Sequence, residues 1–195
     1  MKTNAFAPAL AAAFLCTLLT ASPALAAEKE VLTPAQQRAQ LAKDVKSTVA
    51  AYKKADPAID RFFKQSAGYV VFPNVGKVGF IVGVGDAQGE VYEKHRLIGT
   101  ASMTFTTIGL QAGAQEYSEI VFFQDAGAVD RFKENKFEFT ANASAVIVKA
   151  GAASASDCRD GVVAFAHPKG GAMLEAAVGT QKFKFTAAKP AAKKK

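Results

Sequence analysis

The chain has no tryptophan, two cysteines and two histidines in 195 residues. Each shortage closes off some chemistry. Cys16 falls in an N-terminal segment that reads as an export signal. The mature chain then keeps Cys158 alone, which excludes an internal disulfide. Cys158 lies in "SDCRD", a polar loop without redox or metal spacing, and reads as a free thiol. His95 and His167 cannot fill a zinc site alone, and no third ligand stands at a metal-binding spacing from either. Neither G-x-S-x-G nor S-x-x-K occurs, so those nucleophile motifs are missing. The residues imply no catalysis, no metal and no cofactor.

The stretch "GFIVGVGDAQGEVY", residues 79–92, spaces three glycines as G-x-G-x-x-x-G. A dinucleotide site needs a helix directly after such glycines, with its N-terminus facing the phosphates. Here "EVYEKHRLIG" follows, rich in β-branched and aromatic residues, and no G-K-[ST] occurs. The sequence predicts a hairpin turn at "DAQG", Asp86–Gly89, and a strand after it.

What is present is apolar and basic. Fifteen phenylalanines suit a core of Phe, Val, Ile and Ala, and the formal net charge is +7. Residues 1–26 read as a cleaved signal peptide: Lys2, then the apolar run "ALAAAFLCTLLTA", then "ALA" at 24–26. A lipoprotein signal at Cys16 is the rival, but Leu15 stands where a small residue belongs. Residues 27–32 read as a leader, 33–186 as a single domain and 187–195 as a disordered basic tail.

The domain opens with two helices. Thr33, Pro34 and Gln36 form a capping-box start for a helix over 33–55. Leu41, Val45, Val49 and Tyr52 fall on one stripe, with Lys43, Lys46, Lys53 and Lys54 on its flanks and back. Such a helix either docks on the core with a solvated outer face or lies against anionic lipid. Asp56 and Pro57 start a second helix, and Gly68 stands where its C-terminal cap would be.

Strands follow. "YVVFP", "VGFIVGVG", "EVYEKHRLIG", "ASMTFTTIGLQAGAQ" and "EIVFF" run in series, the last reading as buried. A short helix at "DAGAVDRFKEN" interrupts them, capped by Asp125. "FEFTANASAVIVKAG" returns to strand. "GVVAFAH" and "GAMLEAAVG" read as a hairpin over "PKG", and "QKFKF" reads as an edge strand. Sequential strands without regular βα alternation predict an α+β domain. Its sheet is largely antiparallel and curved or barrel-like, with two N-terminal helices and one inserted short helix.

Four blocks in order resemble the SYLF domain family: "DPAIDRFFKQSAGYVVFPNVGKVGF", "GEVYEKHRLIGTASMTFTTIGLQAGAQEYSEIVFF", "FKENKFEFTANASAVIVKAGA" and "HPKGGAMLEAAVGTQKFKF". The resemblance covers roughly residues 56–185. It implies a non-enzymatic, exported protein of the periplasm or cell envelope, peripheral to a membrane. The implied partner is anionic phospholipid, of phosphoinositide type or a bacterial anionic lipid. Eukaryotic members also include actin-binding proteins, so a scaffold or protein-interaction module is the alternative. No catalytic residue, metal or cofactor carries over, and nucleic acid is not an implied partner. The positions matching the family's lipid contacts are Lys43, Lys46, Lys53, Lys54, Arg61, Lys64 and Lys169. The chain departs from the family's glycine-rich pattern at Val78, Val82 and Asp86.

Overall fold

The computed structural model describes residues 32–79, 82–135, 138–140, 145–147 and 161–188. The predicted signal, most of the predicted leader, Cys158 and the last residues of the predicted tail lie outside them. Helix α1 (Pro34–Ala55) starts as the sequence dictates. The Thr33 hydroxyl accepts from the Gln36 amide at 3.3 Å, and Gln36 Oε1 accepts from the Thr33 amide at 2.8 Å. At its far end Asp56 is extended, and its side chain caps a short 3₁₀ turn, Pro57–Ile59. Helix α2 (Asp60–Gln65) ends at Ser66; Gly68 opens the first strand instead of capping the helix.

Strand β1 (Gly68–Gly79) pairs antiparallel with β2 (Val82–Glu93), and β2 with the first half of β3 (Arg96–Phe123). The second half of β3 returns to pair with the other edge of β1, Gly68 opposite Phe123 and Gly79 opposite Gly113. So β3 arches over the β1–β2 hairpin. After helix α3 (Ala126–Lys133) and two short strands, β4 (Glu138–Thr140) and β5 (Ala145–Ile147), the chain forms β6 (Val162–Ala187). This strand follows β3 antiparallel along its whole outer edge. β4 adds antiparallel to β6, β5 adds parallel, and the sheet is not closed among the described residues.

Two predicted turns move. "DAQG" lies inside β2, where Asp86 faces Gly76 on one side and Thr104 on the other. Pairing on both edges outweighs the local turn preference. Gly89 is there for space: a Cβ would come 2.5 Å from the Val71 carbonyl oxygen and 2.7 Å from the Phe72 ring. The real turn is Lys94-His95, with φ of 47° and 63°. This is the left-handed backbone a two-residue hairpin needs, built without glycine or asparagine to announce it. "PKG" also belongs to a strand. Pro168 sits at a register slip where Tyr117 faces Pro168 and Glu116 faces Gly170, so Lys169 bulges out. Pro73 sits at the matching slip in β1. Proline lacks the ladder donor, and a bulge removes the need for it. The two slips align across β1, β3 and β6, with Val75 facing Tyr117 and Tyr117 facing Pro168.

Alternation along the strands sends side chains into two cores. Val70, Phe72, Val121, Phe123 and Phe183 pack with Phe132 of α3 on one face. Val71, Ile120, Phe122 and Phe165 pack under α1 and α2 on the other. The α3 face is concave. Gln181 on the second half of β6 bonds Glu119 on the second half of β3 at 3.1 Å. Four strand steps separate them along the sheet, about 19 Å if it were flat. Phe72 and Phe183 likewise meet at 5.9 Å between ring centres. Helix α3 packs into this concavity through Phe132, 4.9 Å from the Phe123 ring.

Gly89→Ala should therefore cost about 1–3 kcal/mol of stability in urea denaturation, as overpacking of a core does. A shift within about 0.5 kcal/mol, typical of an exposed turn, would contradict the strand assignment.

Candidate functional site

Helix α1 is anchored by its buried stripe. Val45, Thr48 and Tyr52 are buried, with Leu41 and Val49 packed beside them. Tyr52 is the deepest: its hydroxyl lies 2.6 Å from the Ser118 carbonyl oxygen and 2.9 Å from that of Phe165. Its proton is thus shared between carbonyls of β3 and β6. Burial pushes the phenol pKa well above its ordinary value. The His167 ring packs on Tyr52 at 5.6 Å, and its Nδ1 lies 3.0 Å from the Pro168 carbonyl oxygen. His95 is exposed in the β2–β3 turn, so the structure places the two histidines in different surroundings. Among the described residues no three His, Cys, Asp or Glu side chains gather as metal ligands.

With the buried stripe fixed, 100° per residue decides what points outward. Lys43 and Lys54 fall nearly opposite Tyr52, and Lys46 and Lys53 on one flank; all four are exposed. Lys43, Lys46 and Lys54 make no ion pair among the described residues. Lys53 does: its Nζ lies 2.6 Å from Asp60 Oδ1, and Lys64 Nζ lies 2.7 Å from Asp60 Oδ2. Hydrogen bonds from Lys53 and then Lys64 hold the Asp60 carboxyl down at about 2. The junction of α1 and α2 is thereby pinned, and two cations share one anion. Lys53 also sits over the Phe63 ring at 4.9 Å, and Arg61 over Phe62 at 4.7 Å. Such stacking lets the long side chains cover the rings while their charges stay in water.

Lys169 does not join the outward face. Freed by its bulge, it donates to Asn74 Oδ1 at 2.6 Å. Asn74 Nδ2 donates in turn to Asp44 Oδ2 of α1 at 3.4 Å. Lys169 thus ties the two proline bulges to the helix. The seven basic residues divide into an outward group, a group at the helix junction, and one seam residue.

Two hollows lie beside this layer. One, of about 640 Å³, runs under the first turns of α1 and is lined by Leu32, Arg38, Leu41, Gln88 and Thr100, among others. The other, of about 420 Å³, is lined by Val78, Val84 and Asp86 with Gly76 and Gly85. Val78 and Val84 face each other across β1 and β2 and are 55% and 51% exposed. The sequence flagged Val78 and Asp86 as departures from the family pattern but gave no sign that they share a hollow with Val84. The side chain of Val82 lies outside those described.

No helix among the described residues is long and apolar enough to cross a membrane. No protein-family model and no curated protein matches the chain.

Tyr52→Phe tests the anchor. Losing the hydroxyl leaves two buried carbonyls without this donor, a loss of about 1–2 kcal/mol. Urea denaturation should show it, with faster amide exchange along α1. An unchanged midpoint would mean that the hydroxyl does not hold the helix.

Proposed function

We propose that this chain is a non-enzymatic SYLF-type domain that binds anionic phospholipid at a membrane surface, peripherally and from the exported side. One observation carries the reading. Among the described residues, Lys43, Lys46 and Lys54 stand without ion partners on the outward face of a helix whose other face is anchored by Tyr52. These three ammonium groups span about 16 Å of rigid helix, so a flat anionic surface can meet them together. Each basic group near such a surface contributes about 1 kcal/mol. Lys53, Arg61 and Lys64 extend the basic surface at the helix junction, with Asp60 offsetting part of their charge. The formal charge of +7, the export signal and the four-block resemblance support the same reading.

Vesicle co-sedimentation tests it. Binding should rise with anionic lipid content and weaken as salt screens the charges. Lys43→Gln, Lys46→Gln and Lys54→Gln together should remove about 3 kcal/mol, on the order of 100-fold in partitioning. No binding of the unaltered protein to anionic vesicles at low salt overturns the function. Unchanged binding by the triple variant overturns the site alone.

Asp60→Asn works in the opposite direction. It releases Lys53 and Lys64 and removes one negative charge, so binding should tighten by about 1 kcal/mol, roughly fivefold. Weaker binding would mean that the pinned junction matters more than its charge.

A further inference from the structure

Glu119 and Gln181 are a buried polar pair in an apolar concavity, 1% and 3% exposed. Glu119 faces Phe72 of β1 and Ala166 of β6; Gln181 faces Phe105 of β3 and Phe139 of β4. Gln181 Nε2 donates to Glu119 Oε2 at 3.1 Å. The other oxygen of each side chain, Glu119 Oε1 and Gln181 Oε1, is buried with no hydrogen-bond partner. An amide oxygen accepts only, and so does an ionised carboxylate. Two buried acceptors without a donor are costly in a site this dry. What the pair lacks is one proton.

We propose that Glu119 and Gln181 form a proton-controlled clasp across the concave face of the sheet. In the closed clasp Glu119 is a carboxylic acid. Its Oε1–H donates to Gln181 Oε1 while Gln181 Nε2–H donates to Glu119 Oε2, and this ring of two hydrogen bonds satisfies both orphan oxygens. Ionisation sends the proton to solvent, breaks one of the two bonds and sets a negative charge against the amide oxygen. The two halves of the bent β3–β6 ribbon then lose their polar link, and water gains a reason to enter between them.

The surroundings agree. Burial raises the Glu119 carboxyl from 4.5 to about 7, against the opposing effect of the Gln181 hydrogen bond. By strand register, Lys77 on β1, Glu93 on β2 and Tyr117 on β3 are titratable side chains on the same face, and helix α3 brings Lys133, whose Nζ lies 3.3 Å from Glu93 Oε2. The hydrogen bond to the Glu119 carboxyl comes from Gln181. Because the folded value lies above the unfolded one, the clasp's contribution is complete below about pH 4.5. It is lost progressively as the pH rises to about 7, and stays lost above that.

Two measurements on the full chain test the clasp. Infrared difference spectra between the unaltered protein and Glu119→Gln should show a buried carboxylic acid band at about pH 5.5 that is gone at about pH 8.5. Urea denaturation should show the unfolding constant of the unaltered protein rising by on the order of tenfold over that range. Glu119→Gln keeps the ring as a permanent amide–amide pair, so its unfolding constant should change less than about twofold. An ionised carboxylate band at about pH 5.5 overturns the proposal, and would mean that a cation or water meets the orphan oxygens. Equal pH dependence in the two proteins overturns it as well. If the variant fails to fold, the infrared difference of the unaltered protein alone between about pH 5.5 and about pH 8.5 decides the matter.

Discussion

One edge of β3 serves two partners, and the rest of the fold follows from that. Arg96–Ile108 of β3 pairs with β2, and Gly113–Phe123 pairs with β1. Since β1 and β2 also pair with each other, β3 must turn over their shared tip. β6 follows it along the outer edge, so the two longest strands bend as one ribbon. The bend curls the sheet, makes the α3 face concave and brings residues four strands apart into contact. Twenty-five registered pairs between β3 and β6 would resist such a bend if every backbone donor had to stay in line. The aligned slips at Pro73 and Pro168 relieve the ladder on both sides of Tyr117, and Lys169 and Asn74 bridge the gap they leave.

The convex face then has a separate task. Bending exposes the alternate side chains Val71, Ile120, Phe122 and Phe165, and α1 and α2 are what cover them. A helix that satisfies an apolar sheet on one side must turn its remaining positions to water. In α1 those positions include Lys43, Lys46, Lys53 and Lys54, so the direction of its charge is a consequence of how it packs. The Tyr52 hydroxyl makes that orientation specific, because it needs carbonyls of two neighbouring strands at one place.

The sequence discloses features that depend on residues near one another in the chain. The caps at Thr33, Asp56 and Asp125 are local hydrogen bonds, and all three form where their residue types put them. The outward lysines could be read from the stripe at Leu41, Val45, Val49 and Tyr52, because period alone fixes the opposite face. Glu119–Phe123 reads as buried and is. The turns at "DAQG" and "PKG" were misleading because turn preference is weak against pairing on both edges. The Lys94-His95 turn was hidden because neither residue advertises a positive φ. In the candidate site, the Lys53–Asp60–Lys64 group depends on the angle between two helices, and the Lys169–Asn74 bond on two bulges meeting across β3. No local pattern encodes either. The hollow beside Val78 and Val84 needs the β1–β2 register to be seen at all.

The two faces of the sheet treat charge in opposite ways, and curvature is the reason. On the convex side water reaches Lys43, Lys46, Lys53 and Lys54 of α1, so these charges are cheap there and their pairing is weak and adjustable. On the concave side curvature removes water, and a carboxyl that would be unremarkable on a flat strand becomes a group whose ionisation the fold opposes. An apolar pair at positions 119 and 181 would hold the halves together at any pH. An acid facing an amide holds them with directional bonds that fix the register of strands which never pair through their backbones. The polar choice makes the link across the concavity specific, and it also makes that link conditional. The same arch that creates the concavity thus decides that its central contact depends on a proton.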